Sequence, residues 1–342
     1  VKRIRLAIVG FGTVGRWLAD AVHRRRPWLL EECGGEVSLV AVANRRDGFV
    51  TSPDGFDVPA LLDRARTGSL LGAPGARSAS DVLAGLAETE LDVLAEASNT
   101  DPREKEPALS HLRAALARGV SCVTSSKGAC AEAALDLLAL AREHGAAFRM
   151  ESTVMSGTPV LSTIREGLAG ARVASLRGIL NGTCNEILTS MAAGRTYAES
   201  LAEAQARGYA EPDPTDDVDA HDVVAKVRIL AAVAFGRALP LDAVARRGIA
   251  GVTLDEVRSA AKDGRRIKLL ATLGGDPLAA RVEPVALPLC DPLARVDGVD
   301  NALSIQTDTV REVTVIGPGA GREQAGQGLF ADLVAVARRL RS

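Results

Sequence analysis

RIRLAIVGFGTVG, residues 3–15, is the stretch that decides the fold. Residues 3–9 form a short apolar, β-branched run that reads as a buried strand. Gly10-x-Gly12-x-x-Gly15 follows directly, and a helical pattern runs from about residue 16 to 25. The first glycine makes a tight turn, the second lets a pyrophosphate approach the backbone, and the third lets strand and helix pack closely. Phosphate then meets the free amides of the helix N-terminus. Gly10, Phe11, Gly12, Thr13, Val14 and Gly15 are therefore the first candidate cofactor residues. A purely structural turn is the bland alternative, and the strand–turn–helix context weighs against it.

Outward from this turn, strands alternate with helices. Strands read at 37–43, 91–95, 120–124 and 147–150, with helices at 106–118 and 131–143. Residues 47–80 are rich in Gly, Pro, Ser and Asp and read as loops around a short helix at 58–66. Such alternation means βαβ units and a mostly parallel sheet. The character changes near residue 151. Helices then read at 159–168, 186–193, 197–207, 219–235, 240–247 and 253–262. Strands read at 173–179, 266–274, 279–287, 301–307 and 312–317, before a last helix at 324–341. The expected class is α/β: a Rossmann-type doubly wound parallel sheet with a second α+β domain for substrate and dimerisation. The expected organisation is 1–150 for the nucleotide, 151–310 for dimerisation and substrate, and 311–342 returning to the nucleotide domain.

Composition narrows the function classes. Of 342 residues, 47% are apolar and 25% charged, as in ordinary globular chains. A net charge of −2 gives no electrostatic bias toward nucleic acid or an anionic membrane. Aromatics at 3% are too few for base-stacking platforms. No stretch approaches the ~18 apolar residues of a membrane span. Cys33, Cys122, Cys130, Cys184 and Cys290 are scattered, without metal-ligand spacing, and read as reduced thiols. The expectation is a cytoplasmic protein with a small-molecule substrate.

Three further patterns carry chemistry. The second strand ends in Asn44-Arg45-Arg46, where an NAD-binding fold usually places an acid. An arginine there suits a 2′-phosphate, so NADP is favoured over NAD; solvated loop charges are the alternative. Lysine is scarce (six in all), and two lysines stand in dense polar motifs: Thr124-Ser125-Ser126-Lys127 and Asp219-x-x-Asp222-x-x-x-Lys226. On a helix, Asp222 and Lys226 share a face. Glu211, Asp213, Asp216, Asp217, Asp219 and Asp222 put six carboxylates into twelve residues before an apolar helix. They could hold a cationic substrate group or, with His221, a divalent metal, although the glycine of a calcium loop is missing. Cys184 has no evident activator and reads as packing.

These residues resemble homoserine dehydrogenase, in the short form without a C-terminal ACT-type regulatory domain. The resemblance rests on GFGTVG (10–15), VTSSKGA (123–129), ESTVMSGTPV (151–160), GILNGTCNEIL (178–188), EAQARGYAEPDPTDDVDAHDVVAKVRIL (203–230) and GPGAG (317–321). It implies NAD(P)-dependent interconversion of L-homoserine and L-aspartate 4-semialdehyde, in threonine, methionine and isoleucine biosynthesis, by a homodimer. It implies catalytic roles for Lys127 and Lys226, and substrate contacts from Glu211, Asp222, Asp217, Thr183 and Tyr209. It adds Ser98, Asn99, Ser125, Lys127 and Gly319, beside Asn44 and Arg45, to the cofactor contacts. Backbone carbonyls of Glu151, Val154, Ser156 and Thr158 match a monovalent-cation site, such as one for sodium.

The chain departs from the family pattern at Ser126, where Asn is frequent, and at Glu186, where Tyr is common. It departs also at Met155-Ser156-Gly157, in place of a glycine pair, and at Gln324, in place of Thr. None of these removes a titrating group. Lys226 is the expected proton-transfer residue and Lys127 the expected alkoxide stabiliser. Two alternatives remain at this level: an oxidoreductase for another amino-acid-derived alcohol or aldehyde, and a non-catalytic NADP sensor.

Overall fold

The computed structural model describes residues 2–73, 75–79, 81–98, 101–275 and 277–341. The described chain forms two compact units. One runs to Gly157 and resumes at Gly321; the other is Thr158–Ala320.

The first unit is built on seven strands: β1 (Lys2–Val9), β2 (Gly35–Asn44), β3 (Gly48–Thr51), β4 (Arg77–Ala79), β5 (Val93–Glu96), β6 (Ser121–Thr124) and β7 (Phe148–Arg149). Their order is β4-β3-β2-β1-β5-β6-β7. The run β2-β1-β5-β6-β7 is parallel, as the sequence pattern requires. Leu6, Ile8, Val42, Val93 and Val123 are buried in its core, because a parallel sheet covered on both faces takes continuous apolar runs.

β3 and β4 correct the expectation of loops over 47–80. They extend the sheet as antiparallel edge strands. Strands of three or four residues show no period to read, and pairing rather than propensity makes them. Phe49 anchors the addition. It is fully buried, and a Cβ on Gly85 would lie 2.2 Å from its ring, so the helix Val82–Glu88 lies flat upon it. A further helix, Arg26–Cys33, was also illegible; Pro27 starts it and Gly34 ends it at φ +62.

The last helix, Arg322–Arg341, belongs to this unit. Gly326 lets it approach the Trp17 ring, where a Cβ would stand 2.2 Å away. Phe330 stacks on Trp28 with ring centroids 6.1 Å apart. Asp332, buried, accepts the backbone N–H of Glu151 at 2.7 Å.

The second unit carries six strands: β8 (Val173–Ile179), β9 (Val244–Arg246), β10 (Arg265–Gly274), β11 (Ala279–Pro288), β12 (Asp300–Thr307) and β13 (Glu312–Pro318), in the order β13-β12-β8-β10-β11-β9. β13 keeps residues 312–318 in this unit, so the chain re-enters the first unit at Gly321 rather than at 311. The helix expected at 240–247 is instead one 3-10 turn, Leu241–Ala243, followed by β9, which adds in parallel to the edge of β11. Pro240 and the buried Val244 favour an extended exit there.

Helices Gly182–Ala192, His221–Phe235 and Leu254–Lys262 pack against β10. Between them and the sheet lies Lys268, fully buried, donating to Asn185 Oδ1 at 2.9 Å, the Val296 carbonyl at 2.5 Å and Asp297 Oδ1 at 3.2 Å. Burial lowers the pKa of Lys268 against the pull of Asp297. The lysine ties the 296–297 segment to the sheet.

Candidate active site

In the first unit the glycine turn crosses the end of β1. The N–H groups of Gly10 and Phe11 donate to the Ala43 carbonyl at 3.0 and 2.7 Å. Gly10 has φ +93, and a Cβ on it would meet the Ala97 carbonyl at 2.3 Å. A Cβ on Gly15 would lie 2.4 Å from the Gly10 oxygen. Gly12 is different: nothing stands within 4 Å of its virtual Cβ. It caps the helix Thr13–Arg24, whose first turn has no acidic residue. That open space beside unpaired helix amides is a cradle for a phosphate.

The end of β2 is occupied by its own turn. Asn44 Nδ2 donates to Asp47 Oδ2 at 2.9 Å, and Asp47 N–H returns to Asn44 Oδ1 at 2.6 Å. Burial alone would raise the Asp47 carboxyl. Hydrogen bonds from Ser69, Asn44 and the Leu70 backbone outweigh it and hold the group below the usual carboxylate range. The acid is thus ionised but spent on the turn. Arg46 leans on Asp47 and the Gly68 carbonyl, while Arg45 is exposed.

The carboxyl ends of β5 and β6 present three buried polar atoms without hydrogen-bond partners among the described residues: Glu96 Oε2, Ser125 Oγ and Ser126 Oγ. Unpaired buried groups of this kind call for a ligand or water. Ser98, half-buried, donates to Glu96 Oε1. Asn99 lies outside the described residues. Lys127, half-buried, opens the helix Lys127–Glu143, four residues earlier than the expected start at 131. Gly128 permits that start, since the Glu104 carbonyl would stand 2.0 Å from a Cβ there. A cation at the positive end of a helix is unfavourable for stability alone. The phosphate cradle and the orphaned polar atoms fit a bound dinucleotide.

In the second unit the acid–lysine motif folds as a buried cluster. Lys226 and Asp222 sit one turn apart on the helix His221–Phe235, with Nζ 2.8 Å from Asp222 Oδ2. Nζ also donates to the Leu180 carbonyl at 2.5 Å. Both residues are 5% exposed. Asn181 Nδ2 donates to Asp217 Oδ1 at 2.7 Å and to Asp222 Oδ2 at 3.1 Å. Burial pushes the Asp217 carboxyl above its usual range; the Asn181 hydrogen bond opposes this and the Asp222 charge adds to it. Thr183 donates to the Tyr209 carbonyl at 2.7 Å, which brings the 209–211 loop to the helix start. Tyr209 is 44% exposed and Glu211 is exposed, so neither joins the buried cluster. A buried lysine paired with a carboxylate beside a second buried acid has the groups that acid–base chemistry and the binding of a cation require. Among the described residues no group of three or more His, Cys, Asp or Glu is placed to hold a metal ion.

Comparison with known proteins decides the family. The homoserine dehydrogenase family matches residues 159–334, and the homoserine dehydrogenase NAD binding domain matches residues 10–151. An NAD(+)-dependent homoserine dehydrogenase from Pseudomonas canavaninivorans is 40% identical over 334 residues, 96% of this chain and 95% of that protein. The chain belongs to the homoserine dehydrogenase family. A homoserine dehydrogenase from Sulfurisphaera tokodaii is 34% identical, covering 98% of this chain and 99% of its own. A hyperthermophilic archaeal homoserine dehydrogenase solved with NADPH superposes with a TM-score of 0.84 at 28% identity, covering 98% of each chain. The protein is accordingly an NAD(P)-dependent oxidoreductase acting on the CH–OH group of homoserine.

Nothing in the structure explains Ser126; the other departures from the homoserine dehydrogenase pattern sit in definite local settings. Glu186 is paired with Arg207 at 3.1 Å, an ion pair in place of the usual tyrosine. Ser156 adopts φ +52, ψ −108, which a glycine would take freely and which costs a serine roughly 1–3 kcal/mol. Gln324 folds its side-chain oxygen over Gly321, where a Cβ would be 2.1 Å away. Met155 is fully buried and fills core. Gly319 has a packing reason of its own, since a Cβ would strike the buried Asn301 amide at 2.0 Å. Cys184 is fully buried and donates to the Asp217 carbonyl at 3.2 Å; burial pushes its thiol well above the ordinary range. It packs rather than reacts. The residue that sequence reasoning passed over is Asn181, whose only signal was its place before Gly182-Thr183 at a helix start.

Proposed function

We propose that Lys226 transfers the proton in the interconversion of L-homoserine and L-aspartate 4-semialdehyde, with Asp222, Asp217 and Glu211 receiving the substrate's α-ammonium. The observation that carries this reading is the buried Lys226–Asp222 pair at 2.8 Å, with Nζ also on the Leu180 carbonyl. In oxidation a deprotonated Lys226 takes the hydroxyl proton as the carbon loses its hydride. In reduction the protonated amine returns it to the developing alkoxide. The nicotinamide supplies the hydride acceptor or donor. Gly10 to Gly15, Ser98, Asn99, Ser125 and Gly319 hold the dinucleotide in this reading, and Lys127 steadies the alkoxide. Thr183 and Tyr209 line the substrate pocket.

The preferred cofactor in this reading is NADP. Its support is the exposed Arg45 near an Asp47 that is already committed to its own turn at the end of β2. Because the Pseudomonas canavaninivorans relative is named for NAD(+), both nucleotides belong in the test. The experiment is the absorbance of reduced nicotinamide with purified protein, L-homoserine and either cofactor. Faster turnover with NADP is expected; no turnover with either overturns the substrate reading, and faster turnover with NAD overturns the preference. Arg45→Ala is expected to raise the NADP KM about 10-fold, about 1.4 kcal/mol, and to leave the NAD KM in place. An unchanged NADP KM would remove Arg45 from the phosphate site.

A monovalent cation on the carbonyls of Glu151, Val154, Ser156 and Thr158 also belongs to this reading, supported by the short helix Ser152–Met155 that ends in the tight turn at Ser156. Replacing sodium by a bulky organic cation in the same assay tests it. A cytoplasmic setting is supported by five free cysteines. No described helix is long and apolar enough to cross a membrane. A homodimer is what the family resemblance implies.

A further inference from the structure

Asn181 is a buried polar residue to which neither the family resemblance drawn from the sequence nor the reaction gives a role. It is 5% exposed and caps the helix Gly182–Ala192. Its Oδ1 accepts the Cys184 N–H at 2.8 Å, which fixes the amide orientation. Turned over, the amide would set a carbonyl oxygen against two carboxylates and an NH2 against an N–H. Both Nδ2 protons therefore face acids, one to Asp217 Oδ1 at 2.7 Å and one to Asp222 Oδ2 at 3.1 Å. That Asp222 oxygen is also the one bonded to Lys226 Nζ. Asn181 is thus a neutral bridge between two like charges and, through the shared oxygen, a stop for the lysine.

The bridge is itself anchored. A Cβ on Gly182 would stand 2.5 Å from the Val299 carbonyl, so the segment before β12 presses on the helix start. Asn185, one turn on, donates to the Val296 and Asp300 carbonyls at 3.0 and 3.1 Å, and Lys268 holds Asn185 from the sheet side. Two carboxylates this close repel when ionised, and a donor to both lowers that cost.

We propose that Asn181 is a positioning residue for the dehydrogenase reaction: its amide sets the spacing of Asp217 and Asp222, and through Asp222 the place of the Lys226 amine. The proposal rests on the reading that this cluster receives homoserine. Two substitutions separate positioning from capping. Asp and Ser cap helices about as well as Asn. Asn181→Ser keeps the cap acceptor and removes the bridge. Asn181→Asp keeps cap and volume but sets a third carboxylate against the pair.

Steady-state kinetics with homoserine and NADP, NADP affinity by fluorescence and Tm are measured on the wild type and both variants. The expected result is a homoserine KM raised at least about 10-fold in Asn181→Ser, and further in Asn181→Asp, with kcat lowered, NADP affinity unchanged and Tm near wild type. A merely structural residue would lower the active fraction and leave the homoserine KM in place. An unchanged homoserine KM in Asn181→Ser overturns the proposal, whatever Asn181→Asp does. Failure of both variants to fold also overturns it, because the residue would then be a structural cap first. Absence of homoserine turnover in the wild type would instead sink the substrate reading beneath it.

Discussion

Lys226→Ala is expected to lower kcat with homoserine by roughly 10²- to 10⁴-fold, the usual contribution of a positioned acid–base group. NADP affinity should stay at the wild-type value, since the nucleotide turn lies on other elements of the fold. The substitution also removes one partner of a buried ion pair, a change that costs about 3–5 kcal/mol when the remaining charge is left alone. Asp222 is not left alone here, because Asn181 still donates to its Oδ2 at 3.1 Å. Part of the stability loss is therefore offset, and folded protein is expected. Lys226→Arg keeps a cation beside Asp222 but cannot give up its proton near neutral pH. It should restore Tm without restoring turnover. If Lys226→Ala turns over within 10-fold of wild type by stopped or continuous nicotinamide absorbance, another group moves the proton.

Gly12→Val is the second large effect. A Cβ at this position would project into space where, chain neighbours aside, no protein atom stands within 4 Å, and the backbone φ is negative at −89. The fold should tolerate it, with Tm lowered by no more than a few degrees. In the proposed reading a phosphate uses this same space to reach the amides of the helix Thr13–Arg24. NADP affinity is expected to fall at least about 100-fold, about 2.7 kcal/mol, by fluorescence titration. Gly15→Ala is a useful contrast. Its methyl would lie 2.4 Å from the Gly10 carbonyl, so the turn itself must shift and Tm should drop as well. Retained NADP binding in Gly12→Val would mean that the phosphate lies elsewhere.

Both expectations start from sequence motifs whose meaning is local. Gly10-x-Gly12-x-x-Gly15 was legible because a strand, a turn and a helix meet within fifteen residues and each glycine answers a constraint of its own. Asp222 and Lys226 were legible because four residues make one helical turn. The edge strands β3 and β4 were not legible. Three or four residues have no period, and Phe49 earns its strand only by packing under Gly85. Glu211 and Asp217 looked alike in the acidic run, yet Asp217 is taken into the cluster and Glu211 stays in solvent. Arg45 and Arg46 looked alike as loop charges, yet Arg46 leans on the buried Asp47, which Asn44 and Ser69 hold in the turn.

By itself the sequence determined the alternation of strands and helices, the nucleotide turn and the facing of an acid and a lysine on one helix. Each of these follows from backbone geometry over a few residues. The tertiary structure alone decided that Asn181 meets acids 36 and 41 residues further on, that Lys226 is buried on the Leu180 carbonyl, and that Lys268 ties the 296–297 segment to the sheet. The strength of those contacts comes from removing polar groups from water. That removal depends on which distant surfaces pack together, and no short stretch of sequence encodes it.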